Sequence, residues 1–321
     1  MNVALVGSNF ALKGYLPVIS KIRKLKLKII CSRNIENSQK KIEGISFEKN
    51  WKNLFKKNID LIILAVPPEI QDKILSYNFK FKKKIIFEKP ISQNLVRSKR
   101  TVKFLKQNKI KSDINLTFLN HELFKKAEKI IKRKKLGKVI NYKILWNFKS
   151  YDLENKIKSW KTIERKGGGI KNIFLTHVFS YCEFFFGKNK INKYKFNSYK
   201  FKNISYKKLI DCELVNKNGV KGHILLHTKK KGNQYHRMVI KCKNGEIHLF
   251  TKSKDWTKDF VLKIKSNKPK KNKIFKQKNM TKFKDGRSIQ IYTMLNNFIK
   301  KNNYSNINYC LNAEKMNANI K

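Results

Sequence analysis

Within the first 120 residues, short and largely apolar runs recur with helix-patterned segments between them. This alternation constrains the fold more than any other feature of the chain. The runs are VALVG (3–7), LKIIC (27–31), LIILAV (61–66), KIIFE (84–88) and INLTF (114–118), with helical segments such as 69–77 and 93–107 between them. Parallel strands need long crossovers, usually helices, so this order predicts a parallel sheet. Continuously apolar strands fit a sheet covered on both faces. Such sheets take ligands at the carboxyl ends of their strands.

The texture then changes. A helical pattern covers 121–134 and a strand pattern 137–148. From about 190 to 265 strand-like segments follow one another, with turn signals such as NKNG and CKNGE between them. Consecutive strands without helices predict a mostly antiparallel sheet. One helical segment, 170–187, precedes them, and another starts at 288. The expected architecture is therefore an α/β domain with a mostly parallel sheet over 1–120. An α+β domain with a large, mostly antiparallel open sheet follows over 121–321.

The formal charge of +55 raises the question of nucleic acid. The basic residues are 68 lysines and only eight arginines, spread from end to end. Arginine is the residue that forks onto phosphates and base edges. An even, arginine-poor charge, with abundant Asn and Ile, reads as codon bias, and no specific nucleic-acid partner is expected. The five cysteines lack paired spacing and read as reduced thiols. No basic leader opens the chain and no apolar stretch is long enough to cross a membrane, so a cytoplasmic protein is expected.

Four places can carry chemistry. The first strand ends at Gly7, where a tight turn leads into a helix whose N–H groups can meet a phosphate. A full G-x-G-x-x-G pattern is absent, since Asn9 and Leu12 hold its second and third positions. The second strand ends in Ser32 and Arg33, with no acid for a ribose hydroxyl; this favours NADP over NAD if a dinucleotide binds. LAVPPE leaves its strand through Pro67 and Pro68, and KIIFEKP ends on Glu88, Lys89 and Pro90. A lysine at a strand's carboxyl end points into a ligand crevice, and a cis Lys89–Pro90 bond is one option there. Finally, Gly167, Gly168 and Gly169 precede a helical segment that carries His177. The other histidines (121, 223, 227, 236 and 248) form no ligand cluster by spacing, so no metal site is expected.

The order of these pieces resembles the Gfo/Idh/MocA (glucose–fructose oxidoreductase/inositol dehydrogenase) family. ALVGSNFALKGYLP, LIILAVPPE, FEKP, LGKVINYKILW, GGGIKNIFLTH, KNGEIHLF and DGRSIQIYTMLNNFIKK carry the resemblance, which spans the chain. It implies a Rossmann domain that binds NADP or NAD, and a second domain whose open sheet pairs subunits into a homo-oligomer. It implies hydride transfer to or from a hydroxyl or keto carbon of a sugar, inositol or nucleotide sugar. The cofactor-binding positions it implies are Gly7, Ser8, Asn9, Phe10, Ser32, Arg33, Ala65, Pro67, Glu88 and Lys89. Those for substrate are Lys89, Trp160, Asn172 and His177, with Lys89 and His177 as the catalytic pair.

One departure bears on activity. Many members carry Asp four residues before the histidine, where this chain has Ile173. Asn172 lies five residues before His177, roughly 140° away on an ideal helix, and can substitute only if the helix is distorted. The alternative reading is thus a catalytically weak nucleotide- or sugar-binding protein of the same fold. In the enzyme reading, a histidine with an ordinary pKa of ~6.5 serves as base at neutral pH, and a lysine near ~10.4 orients and polarises.

Overall fold

The computed structural model of the chain describes residues 1–33, 44–201, 204–228, 233–278, 283–300 and 304–320. They form two compact units, residues 1–117 with 282–311, and residues 118–281 with 312–321.

The first unit is built on six parallel strands: β1 Asn2–Val6, β2 Lys26–Cys31, β3 Ser46–Glu48, β4 Leu61–Leu64, β5 Lys84–Phe87 and β6 Ser112–Ile114. Their spatial order is β3-β2-β1-β4-β5-β6. The order reverses between β1 and β4, and the crevice above that point is where such sheets bind ligands. β1 and β4 are buried almost completely, as their unbroken apolar runs require. Three helices of this unit are α1 Leu16–Ile19, α2 Pro68–Phe81 and α3 Leu95–Gln107. Pro68 opens α2 at a position where its missing N–H costs nothing. Asn94 caps α3 by accepting from the Arg97 N–H at 3.1 Å.

INLTF does not form a strand throughout. The ladder stops at Ile114, because Phe87 ends β5 and its carbonyl takes the last bond, from the Asn115 N–H at 3.1 Å. Thr117–Asn120 then turn as a 3-10 helix.

The second unit contains α4 Glu122–Lys132, the short α5 Tyr151–Glu154 and α6 Thr176–Phe186, with eight strands. The strands are β7 Val139–Phe148, β8 Asn189–Phe201, β9 Ile204–Asn216, β10 Lys221–Thr228, β11 Tyr235–Cys242, β12 Gly245–Thr251, β13 Val261–Ser266 and β14 Lys273–Lys276. They lie in the order β14-β13-β12-β11-β7-β10-β9-β8, antiparallel except where β10 meets β7. Burial alternates along β10 and β11, so one face is packed and the other open. α4 and α6 pack in this unit against strands of the sheet. Two helices end the chain, α7 Arg287–Lys300 and α8 Ser305–Ala318.

Candidate functional site

In the first unit, β1 delivers Gly7 to the point where the strand order reverses. The residue has φ +126° and is buried. A Cβ there would lie 2.4 Å from the Ala65 carbonyl oxygen at the end of β4. Only glycine fits, which meets the need of a dinucleotide turn for close backbone approach. Ser8 and Phe10 are partly exposed and Asn9 is exposed. The Phe10 ring is engaged in packing, with the Arg287 guanidinium 4.1 Å from its centroid and Tyr15 edge-on at 5.6 Å.

The segment Ala11–Tyr15 is a π turn, closed by the Leu16 N–H on the Ala11 carbonyl. It ends on Tyr15, which has no solvent exposure. The Tyr15 hydroxyl donates to Glu88 Oε1 at 2.7 Å, and Asn115 Nδ2 donates to the same oxygen at 2.8 Å. Burial pushes the Glu88 carboxyl above the usual range, opposed by those two hydrogen bonds and by the charges of Lys89 and Arg287. Burial, then the Glu88 charge, pushes the Tyr15 phenol well up.

The Glu88–Lys89–Pro90 bend is gripped by one side chain. Gln71 of α2 directs Nε2 at the carbonyl oxygens of Glu88 (2.7 Å), Pro90 (2.9 Å) and Ile91 (3.0 Å), and its Oε1 accepts the Glu88 N–H at 3.0 Å. The Lys89–Pro90 peptide is cis. Gln71 thus fixes the backbone around Lys89 at the carboxyl end of β5. Ser32 follows β2, partly exposed, with its N–H on the Glu48 carbonyl at 3.0 Å, and Arg33 is exposed beside it. Pro67 precedes α2 as its N-cap.

In the second unit, the structure brings Trp160, the glycine run and Asn172 together. Gly168 packs on the Trp160 turn so closely that a Cβ would lie 2.0 Å from the Trp160 carbonyl oxygen. Asn172 Nδ2 donates to the Gly168 carbonyl at 2.9 Å and approaches that of Glu164 at 3.3 Å. Glu164 pairs with Lys207 at 3.3 Å and Lys171 at 3.7 Å.

The helical segment that carries His177 starts with a second π turn, Lys171–Leu175, in which the Thr176 N–H bonds the Lys171 carbonyl. Residues five apart recur on one face of a π turn, and such turns concentrate at functional sites. The segment before His177 therefore departs from an ideal α-helix, and the Asn172 amide within it turns back onto the glycine run. His177, in α6, is buried, with Phe118 edge-on at 5.5 Å and Trp256 tilted at 6.0 Å.

The sequence reading missed Tyr15, Gln71, Asn115 and Arg287 around Lys89, and Phe118, Glu164 and Trp256 around Asn172 and His177. Tyr15, Asn115 and Phe118 show as polar or aromatic residues beside apolar runs, whereas Glu164, Trp256 and Arg287 lie in charged stretches that give no signal. His223 pairs with Asp211 and His248 with Glu246, both at 2.8 Å. Among the described residues no three ligating groups converge on a metal position, and no helix is long and apolar enough to cross a membrane.

Comparison with known proteins places these features in context. Residues 1–114 match the Gfo/Idh/MocA oxidoreductase family, NAD-binding Rossmann fold, and residues 128–312 match that family's C-terminal alpha/beta domain. An uncharacterised oxidoreductase of Schizosaccharomyces pombe is 26% identical over 133 residues, 40% of this chain and 35% of that protein. The chain thus matches about a third of that relative's length.

Among solved structures, a 3-ketoreductase from Actinomadura kijaniata in complex with NADP and TDP-benzene shares the fold. Its TM-score is 0.78 at 12% identity, covering 98% of this chain and 94% of the other. A levoglucosan dehydrogenase in complex with NADH and levoglucosan has a TM-score of 0.80 at 14% identity, over 99% and 95%. An NAD binding oxidoreductase from Klebsiella pneumoniae has 0.83 at 12%, over 99% and 95%.

Proposed function

Because the chain belongs to the Gfo/Idh/MocA oxidoreductase family, we propose that it transfers a hydride between a nicotinamide dinucleotide, NADP in preference to NAD, and a hydroxyl or keto carbon of a sugar, inositol or nucleotide sugar. The observation that carries the reading is the Gly7 turn, closed on Ala65 at the strand-order reversal, with Lys89 fixed at the end of the nearby β5. A cradle that a single Cβ would fill fits a diphosphate that bonds to backbone N–H groups. Gly7, Ser8 and Asn9 would hold the diphosphate, and Ser32 with Arg33 the ribose end, where a 2′-phosphate meets a hydroxyl and a guanidinium rather than an acid.

The bound nicotinamide supplies the hydride acceptor or donor. In the oxidation direction, Lys89 orients and polarises the substrate oxygen, and His177 takes the hydroxyl proton; reduction reverses both. Asn172, amide-anchored to the glycine run, supplies a neutral hydrogen-bonding partner one residue before Ile173, which holds the position of the carboxylate in many relatives. The ketoreductase and levoglucosan dehydrogenase likenesses support a sugar-like substrate. The open sheet face presents Asp211, Leu225, Leu145, Arg237 and Phe250 in one cross-strand row, which supports pairing with a second copy. A cytoplasmic location is part of the same reading.

The test is a fluorescence titration with NADPH and, separately, NADH at moderate salt, repeated with added phosphate to control for bulk charge. Saturable binding that favours NADPH, followed by turnover with a sugar or nucleotide sugar, is the expected result. Saturable binding without turnover of any such substrate would instead support a weak binding protein of this fold, the reading favoured by Ile173. No saturable binding of either nucleotide overturns the oxidoreductase reading.

A further inference from the structure

Three polar side chains of the first unit, Tyr15, Gln71 and Asn115, converge on the bend that carries Lys89. Gln71 holds its backbone, whereas Tyr15 and Asn115 hold the Glu88 side chain from two directions. Tyr15 belongs to a different part of the unit, the last residue of the π turn that follows Gly7.

A buried phenol is costly unless its hydroxyl is bonded. Phenylalanine would pack the same ring with no such demand. The hydroxyl is therefore explained by what it reaches: it donates to Glu88 Oε1 at 2.7 Å, and Asn115 lies within its hydrogen-bond reach as well. Neither end of this contact can swing away. The Tyr15 ring is without exposure and meets Phe10 edge-on, and Phe10 in turn lies under Arg287. A Cβ on Gly14 would lie 2.5 Å from the Phe10 ring, so the turn is packed tightly on its own side chains. At the other end Asn115, just past β6, fixes the carboxylate. Lys89 is the next residue in the chain.

We propose that Tyr15 is a positioning residue for Lys89: its hydrogen bond to Glu88 ties the dinucleotide turn after Gly7 to the Glu88–Lys89–Pro90 bend, so that seating a diphosphate at the turn is transmitted to the lysine. The inference rests on the dinucleotide reading given under Proposed function. It adds a mechanical link that would couple cofactor binding to the placement of Lys89.

The experiment uses the full chain and 2′-phospho-ADP-ribose, which has the diphosphate and 2′-phosphate but no nicotinamide to cover the lysine directly. Acetic anhydride labelling, read by mass spectrometry, gives the reactivity of Lys89 relative to the exposed Lys84 four residues after Lys80 in the same stretch. In the wild type the ligand should change that ratio by at least about fivefold, the low end of ordinary site-to-site coupling. In Tyr15→Phe the ligand should still bind, but the ratio should no longer respond. A purely structural hydroxyl would lower thermal stability in Tyr15→Phe and leave the response intact, which overturns the proposal.

Should Tyr15→Phe not fold, hydrogen–deuterium exchange of the wild type decides the matter alone. Ligand should slow exchange in 84–95 together with 8–16. Protection of 8–16 with 84–95 unchanged refutes the tether. Absence of ligand binding to the wild type removes the dinucleotide reading and the tether with it, an outcome distinct from binding without a response at Lys89.

Discussion

Gly7 and Ala65 meet backbone to backbone across the two strands that flank the reversal of strand order, leaving 2.4 Å between an imagined Gly7 Cβ and the Ala65 carbonyl oxygen. Gly7→Ala must therefore push β1 and β4 apart and hold alanine at a φ it resists. The strain alone is on the order of 1–3 kcal/mol. The expected outcome is a lower melting temperature, read by calorimetry, and at least tenfold weaker NADPH binding, about 1.4 kcal/mol. Unchanged NADPH affinity would remove the turn from the cofactor site.

His177→Ala should lower turnover by roughly 10²–10⁴-fold, as loss of a positioned general base does. Cofactor affinity should stay nearly the same. Lys89→Ala should also lower turnover. Fluorescence titration beside steady-state kinetics separates the two effects, and loss of NADPH binding in His177→Ala would refute its assignment.

Arg33→Ala should erase most of a preference for NADPH over NADH while leaving NADH binding in place. A charge-assisted bond to a phosphate is worth about 1.5–3 kcal/mol, so the ratio of the two dissociation constants should fall at least about tenfold. An unchanged ratio would show that Arg33 is one more surface base.

Acid should destabilise the second unit through two buried histidines. Burial brings His121 down to about 4 and His236 down to about 3. Both lie below the ordinary ~6.5, so between these values the unfolded chain binds more protons than the folded one. Stability is complete above pH ~6.5 and is lost as pH falls through the window toward 4 and 3, each histidine costing ~1.4 kcal/mol per pH unit across its own window. Chemical denaturation at pH 7, 5.5 and 4.5 measures the slope. His121→Asn should flatten it, because Asn can keep the N-cap bond that His121 Nδ1 accepts from the Leu123 N–H at 3.1 Å while removing the imidazole. An unchanged slope would place the acid sensitivity elsewhere.

Much of the fold was legible because its signals are local. The apolar runs of β1, β4 and β5 and the turn signals between β9 and β13 are written in neighbouring residues. β3, Ser46–Glu48, was not, since three residues with one aromatic carry no pattern. α8 was also missed, because its Asn-rich sequence lacks a strong apolar stripe. At the site, Gly7 and Lys89 were visible as punctuation at strand ends. Tyr15, 73 positions from Glu88, was not, since only the sheet order brings the two together. The π turn that contains Asn172 is a backbone choice that no residue in 171–175 announces.

The Ser288 hydroxyl bonds the Gly14 carbonyl at 3.0 Å, and α7 packs against α1, so the first unit draws on both ends of the chain. On the ribosome, residues 1–117 emerge long before α7. At ordinary elongation rates the gap is about 10–40 s. Throughout that interval the nascent dinucleotide unit exposes apolar surface that α7 will cover, and it must be kept from its neighbours while the other unit is being made. The first unit is thus completed only after residues 118–281 of the second have been made, and a protein truncated before residue 287 would lack a wall of its first unit.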